Sequence, residues 1–351
     1  MRIMSVVGAR PQFIKLKPIS DQLANLNHEH IIVNTGQHYD YNMSKIFFEG
    51  LTIPQPNFNL EVGSGSHAQQ TGAMLVRTEE KILKLSPDWI LVYGDTNTTA
   101  AASLAAAKTH IPVAHIEAGL RSFNRLMPEE INRILSDHIS NLLFAPTLLA
   151  MNNLKNEGLY QKAKLVGDVM ADLIYSLDFE TNTDIELPKT DYVVATIHRA
   201  SNTDDLDQLH KIFESLGKVQ YQIIVVTHPR LAFALKNLKL QKKFNNIEFK
   251  EPVGYLHMMG LLKKSKGVIT DSGGLQKEAY LLGVPCITVR SETEWPETFE
   301  GNMNVLDPKA EELNNLINRK TLVSDNKPFG NGDAAKNIIS FLEQYEIGQS
   351  T

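Results

Sequence analysis

Val268-Ile269-Thr270-Asp271-Ser272-Gly273-Gly274-Leu275-Gln276-Lys277-Glu278-Ala279 is the stretch on which the fold class turns. An apolar strand runs into a Ser-Gly-Gly turn, and the turn opens a helix that continues to Leu282. The two glycines let a ligand come close to the backbone, and the first free N–H groups of the helix then face an anion. Ser272 suits the N-cap. Glu278 follows Gly274 by four residues on the same helical face, where its carboxylate suits vicinal hydroxyls such as those of a ribose. A lone Ser-Gly-Gly is also an ordinary helix start, and the acid one turn later is what marks it as a candidate site.

The same strand-then-helix rhythm extends to both sides. Short apolar runs read as strands near 2–7, 30–34, 88–93, 112–117 and 141–145, then near 191–197, 222–227, 246–250, 267–270, 285–289 and 304–306. Each run is continuous rather than alternating, as parallel strands covered on both faces require. The expected architecture is α/β, with two doubly wound, Rossmann-like halves. The polar, acidic segment 177–190 reads as the joint between them. Domain limits are placed at 1–170 and 171–330, with 331–351 carrying a last helix over 332–345 and Asp333 in its first turn. Ligands are expected at the carboxyl ends of the strands, in the cleft between the halves.

Composition narrows the class. The chain has 351 residues, 42% hydrophobic and 21% charged, and a net charge of −5, a balance that argues against nucleic acid or anionic lipid held by bulk positive charge. Cys286 is the single cysteine, so an intrachain disulfide and a Cys-based zinc site are ruled out. The histidines lack ligand spacing, so no metal site is expected. The opening apolar stretch is short for a signal peptide, and no run reaches the ~18 residues of a membrane helix. A cytoplasmic protein is expected.

Further candidates cluster at strand ends. The first strand ends in Gly8-Ala9-Arg10-Pro11-Gln12-Phe13-Ile14-Lys15, which places Arg10 and Lys15 where a phosphate could be clamped. Cations at a helix N-terminus oppose its dipole, so an anion there would explain them. Asp95, Glu117 and Glu129 supply carboxylates at or after strand ends, a set suited to acid/base work. Glu117 closes an apolar run, where burial favours the proton-bound form. Asp95 could equally be an N-cap, and Glu129 and Glu130 stand after Pro128, where acids are commonplace. His198 and His228 each follow a strand; His198 could hold a diphosphate or shuttle a proton. Gly63-Ser64-Gly65-Ser66-His67-Ala68 matches a dinucleotide fingerprint but is misplaced for one, and reads as a loop before a helix.

With these residues in view, the chain resembles the non-hydrolysing UDP-N-acetylglucosamine 2-epimerase family over nearly its whole length. The shared motifs are GARPQFIK at 8–15, TGQH at 35–38, YGDT at 93–96, HIEAGLR at 115–121, PEEINR at 128–133, HR at 198–199, DSGGLQKEA at 271–279 and TE-x-PE at 293–297. The resemblance implies the two-domain fold of GT-B glycosyltransferases, UDP held chiefly by the second domain, and a final helix packed back on the first. It assigns Arg10, Lys15 and His198 to the diphosphate, Ser272, Gly273 and Gly274 to phosphate, and Glu278 to the ribose. Asp95, Glu117 and Glu129 become the acid/base carboxylates. The implied reaction breaks the C1–O bond to UDP, removes the C2 proton to form a glycal, and re-adds UDP with the proton on the opposite face. No cofactor is implied; a UDP-sugar and a second copy of the chain, as a homodimer, are.

Several positions depart from the family pattern. Trp295 stands where an Arg is usual, Met258 where a Phe follows Tyr255-Leu256, and Asp168 where an Asn is usual. The loop 121–128 is shorter, and TGQHYDYNMS differs where the UDP-N-acetylglucosamine enzymes build a second, activating nucleotide site. These features point to the branch acting on UDP-2,3-diacetamido-2,3-dideoxy-glucuronic acid as the alternative substrate. Such a substrate carries a C6 carboxylate, and Arg125 on the short loop is the candidate cation for it. A GT-B glycosyltransferase, a hydrolysing epimerase and a catalytically inactive nucleotide sensor are the rival functions.

Overall fold

The computed structural model describes residues 1–37, 50–178, 188–238 and 244–345. His38 and the rest of the TGQHYDYNMS stretch lie outside them, as does most of the acidic joint. The chain divides into two compact units, Met1–Leu177 with Lys327–Thr351, and Asp178–Asn326.

In the first unit β1 (Arg2–Val7), β2 (Glu29–Asn34), β3 (Phe58–Asn59), β4 (Trp89–Tyr93), β5 (Val113–Ile116), β6 (Leu142–Ala145) and β7 (Ala163–Leu165) form one parallel sheet in the order β3-β2-β1-β4-β5-β6-β7. Its helices are α1 (Arg10–Asn25), α2 (His67–Leu85), α3 (Asn97–Lys108), α4 (Pro128–Ile139), α5 (Leu148–Asn156) and α6 (Val169–Ser176). Every residue of β4, β5 and β6 is buried, which is why these segments are apolar throughout. β3 and β7 were not expected; with two and three residues each, they offer too little pattern to read. The loop 63–66 ends where Ser66 caps α2 by accepting from the Gln69 amide, as the loop reading requires.

In the second unit β8 (Tyr192–Thr196), β9 (Gln222–Val226), β10 (Ile247–Lys250), β11 (Gly267–Thr270), β12 (Cys286–Thr288) and β13 (Asn304–Leu306) run parallel in the order β10-β9-β8-β11-β12-β13. The helices here are α7 (Ala200–Thr203), α8 (Leu206–Leu216), α9 (Pro229–Leu238), α10 (Tyr255–Lys263), α11 (Gly273–Leu281) and α12 (Leu313–Ile317). Leu209, Ile212, Phe213 and Leu216 of α8 pack on Val193, Ala195, Ile223 and Val225, a stripe at helical spacing laid on a sheet face.

Both sheets reverse their winding once, between β1 and β4 and between β8 and β11. Loops leave in opposite directions there and open a crevice beyond the strand ends. Arg10, Lys15 and Asp95 follow the strands of the first reversal and His198 and Ser272 to Glu278 those of the second, whereas Glu117 follows β5 and Glu129 stands in the first turn of α4.

The last helix, α13 (Ala334–Gln344), belongs to the first unit and packs on α1 and α6. The chain re-enters through Gly167 and Gly330, at φ +88° each, whose backbones touch so closely that a Cβ at either would meet the other within 3.2 Å. The Asp168 amide donates to the Phe329 carbonyl at 2.9 Å, and the Asp168 carboxylate caps α6 through the Met170 amide. The expected first-turn acid, Asp333, takes the N-cap position without a side-chain bond. Asp172 from α6 caps the helix instead, accepting from the Ala334 and Ala335 amides at 3.0 and 2.7 Å. A helix end buried against another helix is capped by what it packs on.

Under the first sheet, the Tyr93 hydroxyl meets Ser5 Oγ at 2.7 Å, and Ser5 Oγ meets His30 Nε2 at 2.8 Å. Burial pushes His30 down to about 4. Below about 6.5 the unfolded chain therefore binds a proton that the folded chain does not, and stability is lost as pH falls from about 6.5 to about 4. The site should account for at most about 3 kcal/mol of that loss. Denaturant titrations of wild type and His30→Asn across this range should show a shallower decline in the variant; equal slopes would exclude this origin.

Candidate active site

At the first reversal β1 ends in Gly8 and Ala9, and α1 starts at half-buried Arg10. Buried Gln12 closes the turn, accepting from the Gly8 and Ala9 amides and donating to the Tyr93 carbonyl at 2.9 Å. Lys15, expected with Arg10 as a phosphate clamp, is buried in the second turn of α1, its Nζ donating to Glu117 Oε1 at 2.5 Å. Glu117 is thus not an isolated buried carboxyl but half of a buried ion pair. Its backbone is left-handed at φ +70°, a conformation that costs a non-glycine residue about 1 kcal/mol or more. Gly94, at φ +62°, passes so close that a Cβ there would lie 3.1 Å from Lys15 Nζ and 3.3 Å from Glu117 Oε1.

Asp95 is not the N-cap of α3. Thr96 is, accepting from the Thr99 amide at 3.4 Å. Asp95 pairs with buried Arg133 at 2.6 Å, and Asn132 donates to its carbonyl. The two acids of α4 divide their work. Glu129 is exposed in the first turn, whereas Glu130 is buried, accepting from the Ser122 and Phe123 amides and pairing with Arg133 at 3.0 Å. Burial pushes Glu130 up, but these donors outweigh it and hold its carboxyl below the ordinary range. Beneath them His115 bridges the Asp137 carboxylate and the Gly94 carbonyl, both at 2.7 Å. Asp137 also accepts from the Gly119 amide and faces Arg121 at 2.7 Å. Burial pushes Asp137 up, and His115 and Arg121 bring it below its usual value. Arg125 is exposed on the loop that Glu130 pins.

At the second reversal Ser272 caps α11, its hydroxyl accepting from the Leu275 amide at 3.4 Å. Gly273 lies against Glu294, whose Oε1 is 2.1 Å from where a Cβ would stand. Glu294 pairs with Arg290 at 2.9 Å and faces Arg199 at 3.7 Å. Burial pushes Glu294 up, and the two arginines bring it below the usual range. Gly274 is exposed, with no atom within 4 Å of a Cβ position, so packing within the protein does not explain the glycine. Glu278 is buried one turn on. His198 follows β8, half-exposed, its ring 5.3 Å from that of His228. Among the described residues, no group of three or more His, Cys, Asp or Glu side chains is placed to hold a metal.

A family model described as UDP-N-acetylglucosamine 2-epimerase matches residues 21–343. The chain belongs to that family. A UDP-N-acetylglucosamine 2-epimerase homolog from Methanococcus maripaludis is 47% identical over 97% of this chain and 99% of its own length. The UDP-2,3-diacetamido-2,3-dideoxy-D-glucuronate 2-epimerase of Pseudomonas aeruginosa is 46% identical with the same coverage. Among solved structures, the Methanocaldococcus jannaschii UDP-GlcNAc 2-epimerase in complex with UDP-GlcNAc and UDP matches at a TM-score of 0.90 and 42% identity, covering 98% of this chain and 100% of that one.

Reading the sequence missed His115, Asp137, Arg133, Asp271, Arg290 and Glu294 as builders of the site. His115, Arg133, Asp271 and Glu294 stand inside the motifs quoted, so proximity to the chosen residues was an available signal. Asp137 and Arg290 carried none, because only packing brings them there. Gly274→Val gives the cleanest test of a ligand at α11. A Cβ there meets no protein atom within 4 Å, so the melting temperature should change little, while affinity for UDP in titration calorimetry should fall at least 10-fold. Unchanged affinity would show that no ligand approaches this turn.

Proposed function

We propose that this chain is a non-hydrolysing UDP-N-acetylglucosamine 2-epimerase, interconverting UDP-GlcNAc and UDP-ManNAc-type sugars for cell-surface polysaccharide synthesis. The observation that supports the reading is that Asp95, Glu117 and Glu129 stand on the loops and helix start after β4 and β5 in a chain matched over nearly its whole length by epimerase relatives. Elimination takes the C2 proton and breaks C1–O, giving UDP and a C1–C2 double bond. Re-addition reforms C1–O and returns a proton to the opposite face of C2. Neither step consumes water or an oxidant. Both need proton carriers on two faces of the sugar and cations for the departing diphosphate. We assign the carboxylates to the first task and Arg10, Lys15, His198 and the Ser272-Gly273-Gly274 turn to the second. Lys15 also pairs with Glu117 and so stands beside both tasks. Glu278 is assigned to the ribose. The first unit would carry the sugar chemistry and the second the UDP. We further propose a cytoplasmic homodimer; no helix among the described residues is long and apolar enough to cross a membrane.

Incubation with UDP-GlcNAc alone in D2O should place deuterium at C2, seen by proton NMR, with the sugar still linked to UDP. Unchanged sugar, or free sugar plus UDP, would overturn the reading. Asp95→Asn and Glu129→Gln should each cut turnover on the order of 10²-fold with little change in UDP affinity. Glu117→Gln should lose stability as well, since it strands the buried Lys15 ammonium.

A second reading, the diacetamido-glucuronate, is favoured by the Pseudomonas relative and by Trp295 in place of arginine. On it, exposed Arg125 would meet the C6 carboxylate. Wild type should then prefer the uronate in kcat/KM, and Arg125→Ala should lose ~1–3 kcal/mol of that preference. Equal or better turnover of UDP-GlcNAc by the wild type would sink this alternative.

A further inference from the structure

Asp271 is fully buried, yet nothing in the proposed chemistry uses it. Its carboxylate accepts from the His198 amide at 3.0 and 3.1 Å, the Arg199 amide at 2.9 Å and Asn202 Nδ2 at 3.0 Å. Oδ1 also lies 3.3 Å from Nδ1 of the His198 ring. The strand ends are tied just before this point, where the Thr196 and Thr270 hydroxyls meet at 2.6 Å. Asp271 is also joined by a peptide bond to Ser272, the cap of α11. One carboxylate therefore fixes the turn after β8, faces one nitrogen of the imidazole, and begins the glycine turn.

We propose that Asp271 is a positioning residue for His198. Both Asp271 oxygens already accept from neighbouring N–H groups, so the ring nitrogen facing Oδ1 at 3.3 Å is the one that carries the proton. His198 is held as the Nδ1–H tautomer with Nε2 turned away from Asp271, ready to accept a proton or, when charged, to grip an anion. This is the arrangement by which an outer carboxylate fixes the tautomer and aim of a working imidazole. The inference rests on the reading of His198 as a group that touches the UDP-sugar.

The wild-type enzyme supplies the first test. With histidine labelled by nitrogen-15, the neutral His198 ring should be found as Nδ1–H, the minor form of free imidazole side chains; a ring mainly Nε2–H would overturn the proposal. Asp271→Asn should shift the ring toward Nε2–H and slow turnover about 10- to 100-fold, the scale on which such partners act. The double variant with His198→Gln should be no slower than His198→Gln alone, because the aspartate acts through the ring. Losses that multiply, or full turnover in Asp271→Asn, would overturn it. If His198→Gln itself turns over at the wild-type rate, the proposal falls with the functional reading, and an Nδ1–H ring in wild type would identify that as the cause.

Discussion

A carboxylate taken out of water must gather donors, and that requirement organises both halves of this molecule. In the first unit Asp137 gathers the His115 ring, the Gly119 amide and the Arg121 guanidinium. In the second, Asp271 gathers two amides, the Asn202 side chain and the edge of His198. Asp137, on α4, ties the loops that follow β4 and β5, Asp271 stands at the β8–β11 reversal, and each faces a histidine. Removing either acid would orphan several buried donors at once, so the loops it holds cannot drift independently.

The charges at the first reversal follow the same logic. Buried pairs such as Lys15–Glu117 add little net stability, because desolvation offsets most of their attraction. Glu117 adds the cost of a left-handed backbone. Stability alone would favour apolar residues at these positions. The proposed function gives a reason for the two pairs, with Lys15 held against Glu117 and Arg133 against Asp95.

The departures from the family pattern acquire physical content in the second unit. Trp295 is buried, and Lys277 Nζ lies over its ring at 4.0 Å, so a cation stands against the side chain that takes the place of the usual arginine. The charge comes from α11, the helix that starts with the glycine turn. Met258 is buried in α10, and Asp168 works as a helix cap, so these two differences are absorbed by packing.

Much of the fold was legible because burial on both faces writes itself into sequence. β1, β11 and β13 match the expected runs end to end, and the other expected strands differ by one residue at one or both ends, where strands give way to loops. The family was legible because its motifs sit at strand ends, where backbone approach and charge leave few residue choices. The α/β class and the Ser272 cap follow from local propensity alone. What only the tertiary structure decided is which charges meet. Lys15 and Glu117 lie far apart in the chain, as do Asp95 and Arg133, and nothing local distinguishes Glu129 from Glu130. Hydrophobic periodicity reports which face of an element is buried. It carries no record of which polar groups are buried together, because that pairing is set by strand order, and strand order is a property of the assembled sheet.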